Sequence, residues 1–87
     1  LVQFVSQKLK NAESILDLGA GSGIIGLELA KLLNPKKLTL LEYQKDFLPF
    51  LEENIKAFLA PSISSEVIHQ SFGTFRPQEQ FDLIVSN

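Results

Sequence analysis

The stretch Ile15-Leu16-Asp17-Leu18-Gly19-Ala20-Gly21-Ser22-Gly23 decides the fold of this 87-residue chain. Residues 14–18 form an apolar run that stops at Gly19, the pattern of a strand buried within a parallel sheet. Three glycines at alternate positions then permit a tight turn, and a backbone without Cβ atoms lets a ligand come close. Residues 24–33 follow with apolar side chains on nearly every side, which predicts a sandwiched helix. The N-terminus of that helix points its free N–H groups at the turn and favours an anion there, either a pyrophosphate or the carboxylate of an amino-acid-like ligand.

Outward from this unit, strands and helices alternate. Asn34 and Pro35 end the helix, and residues 38–42 read as a second buried strand with Glu42 at its carboxyl end. Asp46 is placed to cap a further helix with Pro49 in its first turn and Leu48, Leu51, Ile55, Phe58 and Leu59 facing inward. Phe47, Phe50, Phe58 and Phe81 are expected in the core. Residues 66–69 and 81–85 supply strands three and four, separated by a turn-rich segment. Before all of these, Val2, Val5, Leu9 and Ala12 repeat at helical spacing. The expected architecture is α/β: a Rossmann-like, doubly wound parallel sheet, incomplete at about four strands with flanking helices, and ligands at the carboxyl ends of the strands.

Composition narrows the function. Eight basic against ten acidic residues give a formal charge of -2, so the chain has no broad cationic face to neutralise phosphates, and any grip on nucleic acid must come from elsewhere. The chain has no Cys, hence no disulfide framework and no thiolate metal site. No apolar run approaches the ~18 residues that span a bilayer, and the first residues lack a signal-peptide layout. A cytoplasmic protein that needs neither metal nor membrane is the expectation. Leu1 at one end and the apolar run into Ser86 and Asn87 at the other suggest that both ends are cut.

Two cofactor classes compete for the glycine turn. Gly21-Ser22-Gly23-Ile24-Ile25-Gly26 matches the dinucleotide fingerprint G-x-G-x-x-G, with Glu42 near the distance expected of a ribose acid. That match starts two residues late, since the strand already ends at Gly19, and a count from Gly19 puts Ile24 where the third glycine belongs. Gly26 is then a helix-packing glycine. Asp17 argues the same way: its carboxylate repels a pyrophosphate and attracts an ammonium or sulfonium.

At these residues the sequence resembles a family. The run from Ile15 to Gly23 looks like motif I of class I S-adenosylmethionine-dependent methyltransferases, acid-x-Gly-x-Gly-x-Gly, and implies that Asp17, Gly19, Ala20, Gly21 and Gly23 bind the cofactor S-adenosyl-L-methionine. The resemblance extends over the whole chain. It implies that Glu42 chelates the ribose hydroxyls, that Tyr43 lies against the adenine, and that Ser71 and Phe72 stand where the family contacts the adenine edge, Ser71 replacing the usual Asp. The final residues, 81–87, are similar to the strand that delivers Asn-Pro-Pro-Tyr in amino-methylating enzymes, with only Asn87 present. The implied role of Asn87 is catalytic: its side chain accepts a hydrogen bond from a planar amine and holds the nitrogen in line with the methyl carbon.

The resemblance therefore implies residues 1–87 to be the cofactor-binding portion of one methyltransferase domain, truncated at its C-terminal end. The implied acceptor is adenine N6 in RNA, tRNA or rRNA, with guanine N2, DNA adenine or a protein glutamine amide as alternatives. An NAD(P)-binding oxidoreductase domain and a non-catalytic module that keeps the fold are the competing readings.

Overall fold

The computed structural model describes residues 12–71, 73–76 and 79–86. They form β1 (Ser14–Leu18), α1 (Ile24–Leu33), β2 (Lys37–Glu42), a 3-10 turn (Lys45–Phe47), α2 (Leu48–Phe58), β3 (Ser64–His69) and β4 (Leu83–Ser86). The helix expected over residues 1–12 lies outside the described residues except for Ala12, which is buried.

All three strand pairings are parallel, and the sheet order is β3-β2-β1-β4. The chain steps outward from β1 to β2 to β3, then returns across the sheet to place β4 on the other side of β1. This is a doubly wound, Rossmann-like sheet, and its order reverses between β1 and β4, where such sheets open a crevice for ligands. Leu18 of β1 pairs with Ser86 of β4, so the glycine turn emerges at that reversal.

Side-chain alternation along each strand decides what each face carries. Ile15, Leu38, Leu40, Leu83 and Val85 point to the face covered by the helices and pack with Leu29, Ala30 and Leu33 of α1 and Leu51 of α2. The same alternation places Asp17 on that face, beneath α1. On the opposite face Leu16, Thr39 and Leu41 are also buried, and Phe75 and Phe81 of the long return segment border a cleft there with Thr39 and Ile68.

The observed elements differ from the expected ones in ways that have physical causes. β4 starts at Leu83 rather than residue 81 because Asp82 turns to the entrance of β1, where its Oδ2 accepts the amides of Glu13 (2.8 Å) and Ser14 (3.1 Å). Asp46 is no helix cap: it lies inside the 3-10 turn, and no side chain caps α2. Pro49 does fall in the first turn of α2. The aromatic core does not form as expected: Phe50 is 61% exposed, Phe58 74% and Phe47 37%. Leu51 takes the inward position, and Phe58, two turns later at the end of the helix, borders an open cleft between α1 and α2. Among the described residues no helix is long and apolar enough to cross a membrane.

Candidate functional site

The glycine turn carries three left-handed residues, Gly19 (φ 71°), Gly21 (φ 60°) and Gly23 (φ 88°), a backbone that a side chain would strain at each position. Its shape is fixed by the end of β2. The amides of Gly19 and Ala20 both donate to the Leu41 carbonyl at 2.9 Å, and the Gly23 amide closes the turn on the Ala20 carbonyl, also at 2.9 Å. The Gly21 amide donates to Glu42 Oε1 at 2.6 Å.

The glycines divide into two kinds. A Cβ at Gly19 or Gly21 would meet no heavy atom within 4 Å, so their bare backbones border open space. A Cβ at Gly23 would collide with Leu51, and one at Gly26 with the Asp17 carboxylate and Leu40. Gly23 and Gly26 are packing glycines, as the register of the fingerprint suggests for Gly26.

A cleft of about 340 Å³ opens over Gly19 and Gly21 at the carboxyl ends of β1 and β2, lined also by Leu41, Glu42, Tyr43, Gln44, Phe47 and Gln70. Glu42 lies at its base, 5% exposed. Its two oxygens accept one amide each, Gly21 at Oε1 and Gln44 at Oε2 (2.7 Å). A carboxylate offers about four acceptor positions, so each oxygen keeps one for a ligand hydroxyl. Tyr43 is 67% exposed beside the cleft, and its carbonyl meets His69 Nε2 at 3.0 Å, which gives that lone histidine a structural partner.

Asp17 is placed differently from a residue at the open mouth of the turn. It is 2% exposed, faces Gly26 beneath the first turn of α1, and leaves Oδ2 buried with no hydrogen-bond partner among the described residues. Burial pushes its carboxyl up to about 6; the Gly26 backbone amide opposes this shift, and the Glu42 charge adds to it.

The structure thus gathers Gly19, Gly21, Glu42 and Tyr43 around one cleft, sets Asp17, Ala20 and Gly23 beside or behind it, and does not bring Ser71 to its lining. The Ser71 hydroxyl instead meets Thr74 Oγ1 at 3.2 Å, and its carbonyl accepts the Thr74 and Phe75 amides. Gln70, Gln44 and Phe47 line the cleft although no motif marks them. Phe72 and Asn87 lie outside the described residues.

These residues fit S-adenosylmethionine. The open backbone over Gly19 and Gly21 can take a close ligand, and Glu42 keeps two acceptor positions for a diol. A pyrophosphate in the cleft would lie against the buried Glu42 carboxylate at its base, whereas Asp17 sits behind the cleft beneath α1. A larger cleft of about 460 Å³ runs between α1 and α2, from Ile24 and Asn54 beside the glycine turn to Asn34 and Phe58 at the helix ends, with a mainly apolar lining.

Comparison with known proteins agrees with the geometry. The family model "Methyltransferase small domain" matches residues 1–87. The chain is 36% identical over 80 residues to a tRNA1(Val) (adenine(37)-N6)-methyltransferase of Pseudoalteromonas translucida, covering 91% of this chain and 33% of that protein. It is 41% identical over 71 residues to ribosomal RNA small subunit methyltransferase G of Pseudomonas aeruginosa, covering 82% of this chain and 32% of that protein. The fold matches a Trypanosoma brucei PRMT1 enzyme-prozyme complex solved with AdoHcy, with a TM-score of 0.72 at 21% identity over 86% of this chain and 23% of that one. The chain spans about a third of the length of the curated relatives it matches.

Proposed function

The chain belongs to the methyltransferase small domain family, and from that premise we propose that it is the cofactor-binding part of an S-adenosylmethionine-dependent RNA methyltransferase whose acceptor is a planar amino group, adenine N6. The observation that carries the cofactor reading is Glu42: buried at the base of the cleft, it holds Gly21 with one oxygen and Gln44 with the other, and it presents both to the space above the glycines.

When bound, the cofactor supplies a sulfonium-activated methyl group, so the protein's task is placement. Glu42 accepts the ribose hydroxyls. Gly19 and Gly21 let the ligand lie against bare backbone, and Tyr43, Phe47 and Gln70 border the space left for the adenine. The carboxylate of Asp17 supports the cationic end of the ligand from beneath the turn. Asn87 follows β4 in the sequence, and its proposed role is to accept a hydrogen bond from the amine and hold it for in-line transfer; a base in a stacked or paired strand would have to be flipped out to reach it.

The acceptor rests on the adenine-N6 tRNA relatives and on the resemblance of residues 81–87 to the amino-methylating strand. The ribosomal RNA relatives, matched at similar identity, support a second reading in which the target is another base in rRNA. A thermal-shift series on the full-length protein tests the cofactor: S-adenosylhomocysteine at a hundred times its Kd should stabilise by about 2.7 kcal/mol, whereas stabilisation by NAD alone would overturn the reading. Methyl transfer from labelled cofactor to tRNA and rRNA transcripts, with the product nucleoside identified, separates the two acceptors.

A further inference from the structure

The glycine turn is held from two sides, and only one of them belongs to the sheet. From the sheet side come the Leu41 carbonyl and the Glu42 carboxylate. From the helix side comes Asn54 of α2, whose Nδ2 donates to the Ser22 carbonyl at 2.9 Å across 32 residues of chain. We infer that Asn54 is a positioning residue for the cofactor, acting through the peptide that joins the two left-handed glycines Gly21 and Gly23.

Several observations carry this. Ser22 sits between those glycines, and the left-handed Gly23 turns the chain just before α1, whose hydrogen-bond ladder opens one residue later with the Leu27 amide on the Gly23 carbonyl. The Ser22 carbonyl is therefore turned toward α2. A carbonyl can only accept, so the Asn54 amide must present its N–H₂ group there. Asn54 is also one helical turn from Leu51, the residue that a side chain on Gly23 would strike, so α2 meets the turn with an apolar contact and a hydrogen bond on one face.

Glycines lose more conformational freedom on ordering than other residues, and this turn orders three of them within five residues. Loss of the Ser22 tether frees the peptide planes on either side of it, including that of Gly21, whose amide Glu42 must hold for its oxygens to stay aimed into the cleft. Asn54 does not line that cleft. Its effect on the cofactor is indirect, through the Gly21 to Gly23 backbone.

The inference rests on the cofactor reading above, and the experiment separates the two. In the full-length protein, S-adenosylhomocysteine affinity is measured by calorimetry for the wild type, Asn54→Ala, Asn54→Asp and Ile55→Val, alongside the melting temperature of each without ligand. Ile55→Val trims a partly buried core contact on the same helix and serves as the control for stability loss. The expected result is a weakening of roughly three- to tenfold for both Asn54 variants, the worth of about one hydrogen bond, with Ile55→Val binding as the wild type does. With the transcript that the wild type methylates, KM for S-adenosylmethionine should rise by the same factor while kcat stays within about twofold. Wild-type binding with unchanged Asn54→Asp affinity, or an equal loss in Ile55→Val, overturns the inference alone. No binding by the wild type overturns the cofactor reading and this inference with it.

Discussion

The Asp17 carboxylate fills the space that a side chain on Gly26 would need: an added Cβ would lie 2.8 Å from Asp17 Oδ2 and 2.9 Å from Leu40 Cδ2. Both neighbours are side-chain ends, yet both are buried in the packed layer between sheet and helix and have little room to give. Gly26→Ala should gain about 1 kcal/mol of helix propensity and lose roughly 1–3 kcal/mol to overpacking, for a net destabilisation. A melting comparison checks the sign. The partner substitution Asp17→Ala should relieve part of the cost, so the double variant should be less destabilised than the sum of the singles; strict additivity would show that Leu40 alone sets the limit.

The same burial makes stability depend on pH. The Asp17 carboxyl is raised from 3.8 to about 6, so the folded state holds its proton more tightly than the unfolded chain does. Its contribution is therefore fully present below pH 3.8 and is lost as pH rises through about 6, roughly 3 kcal/mol in all at this order of magnitude. Asp17→Asn keeps the shape and removes the titration. Its melting temperature should exceed that of the wild type above pH 6, and the difference should shrink on acidification; parallel curves from pH 4 to 8 would contradict the assignment.

Sequence pattern made the strand-turn-helix unit legible because a buried strand, a glycine triplet and an all-round apolar helix each leave a local mark. Glu42 was legible for the same reason, as the single acid that closes an apolar run. What escaped depends on distance in space. The bond from Asn54 to Ser22 spans 32 residues and has no motif. Gln70 borders the cleft and Ser71 does not: the Ser71 hydroxyl turns to Thr74, and Gln70 Nε2 also donates to Thr74 Oγ1, at 3.2 Å. Phe50 and Phe58 are expected in the core because they lie on one apolar helix, and a helix wheel cannot tell whether a neighbour is there to cover them.

That displacement of Ser71 gives a third prediction. Gln70→Ala should weaken S-adenosylhomocysteine binding severalfold, because Gln70 borders the cleft, whereas Ser71→Ala should change it by less than about twofold. Calorimetry on both variants decides, and a larger loss in Ser71→Ala would restore the role implied by family resemblance.

Gly21→Ala separates stability from binding. Its φ of 60° is left-handed, which strains any other residue by about 1 kcal/mol, but a Cβ there meets nothing within 4 Å. The apo protein should therefore lose only that strain. Ligand affinity should fall much further, on the order of tenfold or more, because the new methyl group would stand in the space the ligand is proposed to occupy. Equal small effects on melting and on affinity would mean that nothing binds over Gly21.

Glu42→Gln tests the site most severely because it is nearly isosteric. The carboxylate accepts amides at both oxygens, Gly21 at 2.6 Å and Gln44 at 2.7 Å. A glutamine has one acceptor oxygen, so one of these amides would face an N–H₂ group and lose its partner. Charge-assisted bonds are worth about 1.5–3 kcal/mol, so cofactor affinity should drop roughly 10- to 100-fold. A second consequence reports on the same substitution without ligand. The Glu42 charge is one of the causes that raise the Asp17 carboxyl, so removing it should move the Asp17 titration toward lower pH and shift the stability profile with it. A loss of affinity accompanied by an unmoved profile would mean that Glu42 holds the ligand but does not act on Asp17, and would break the electrostatic link between the two carboxylates on either side of the turn.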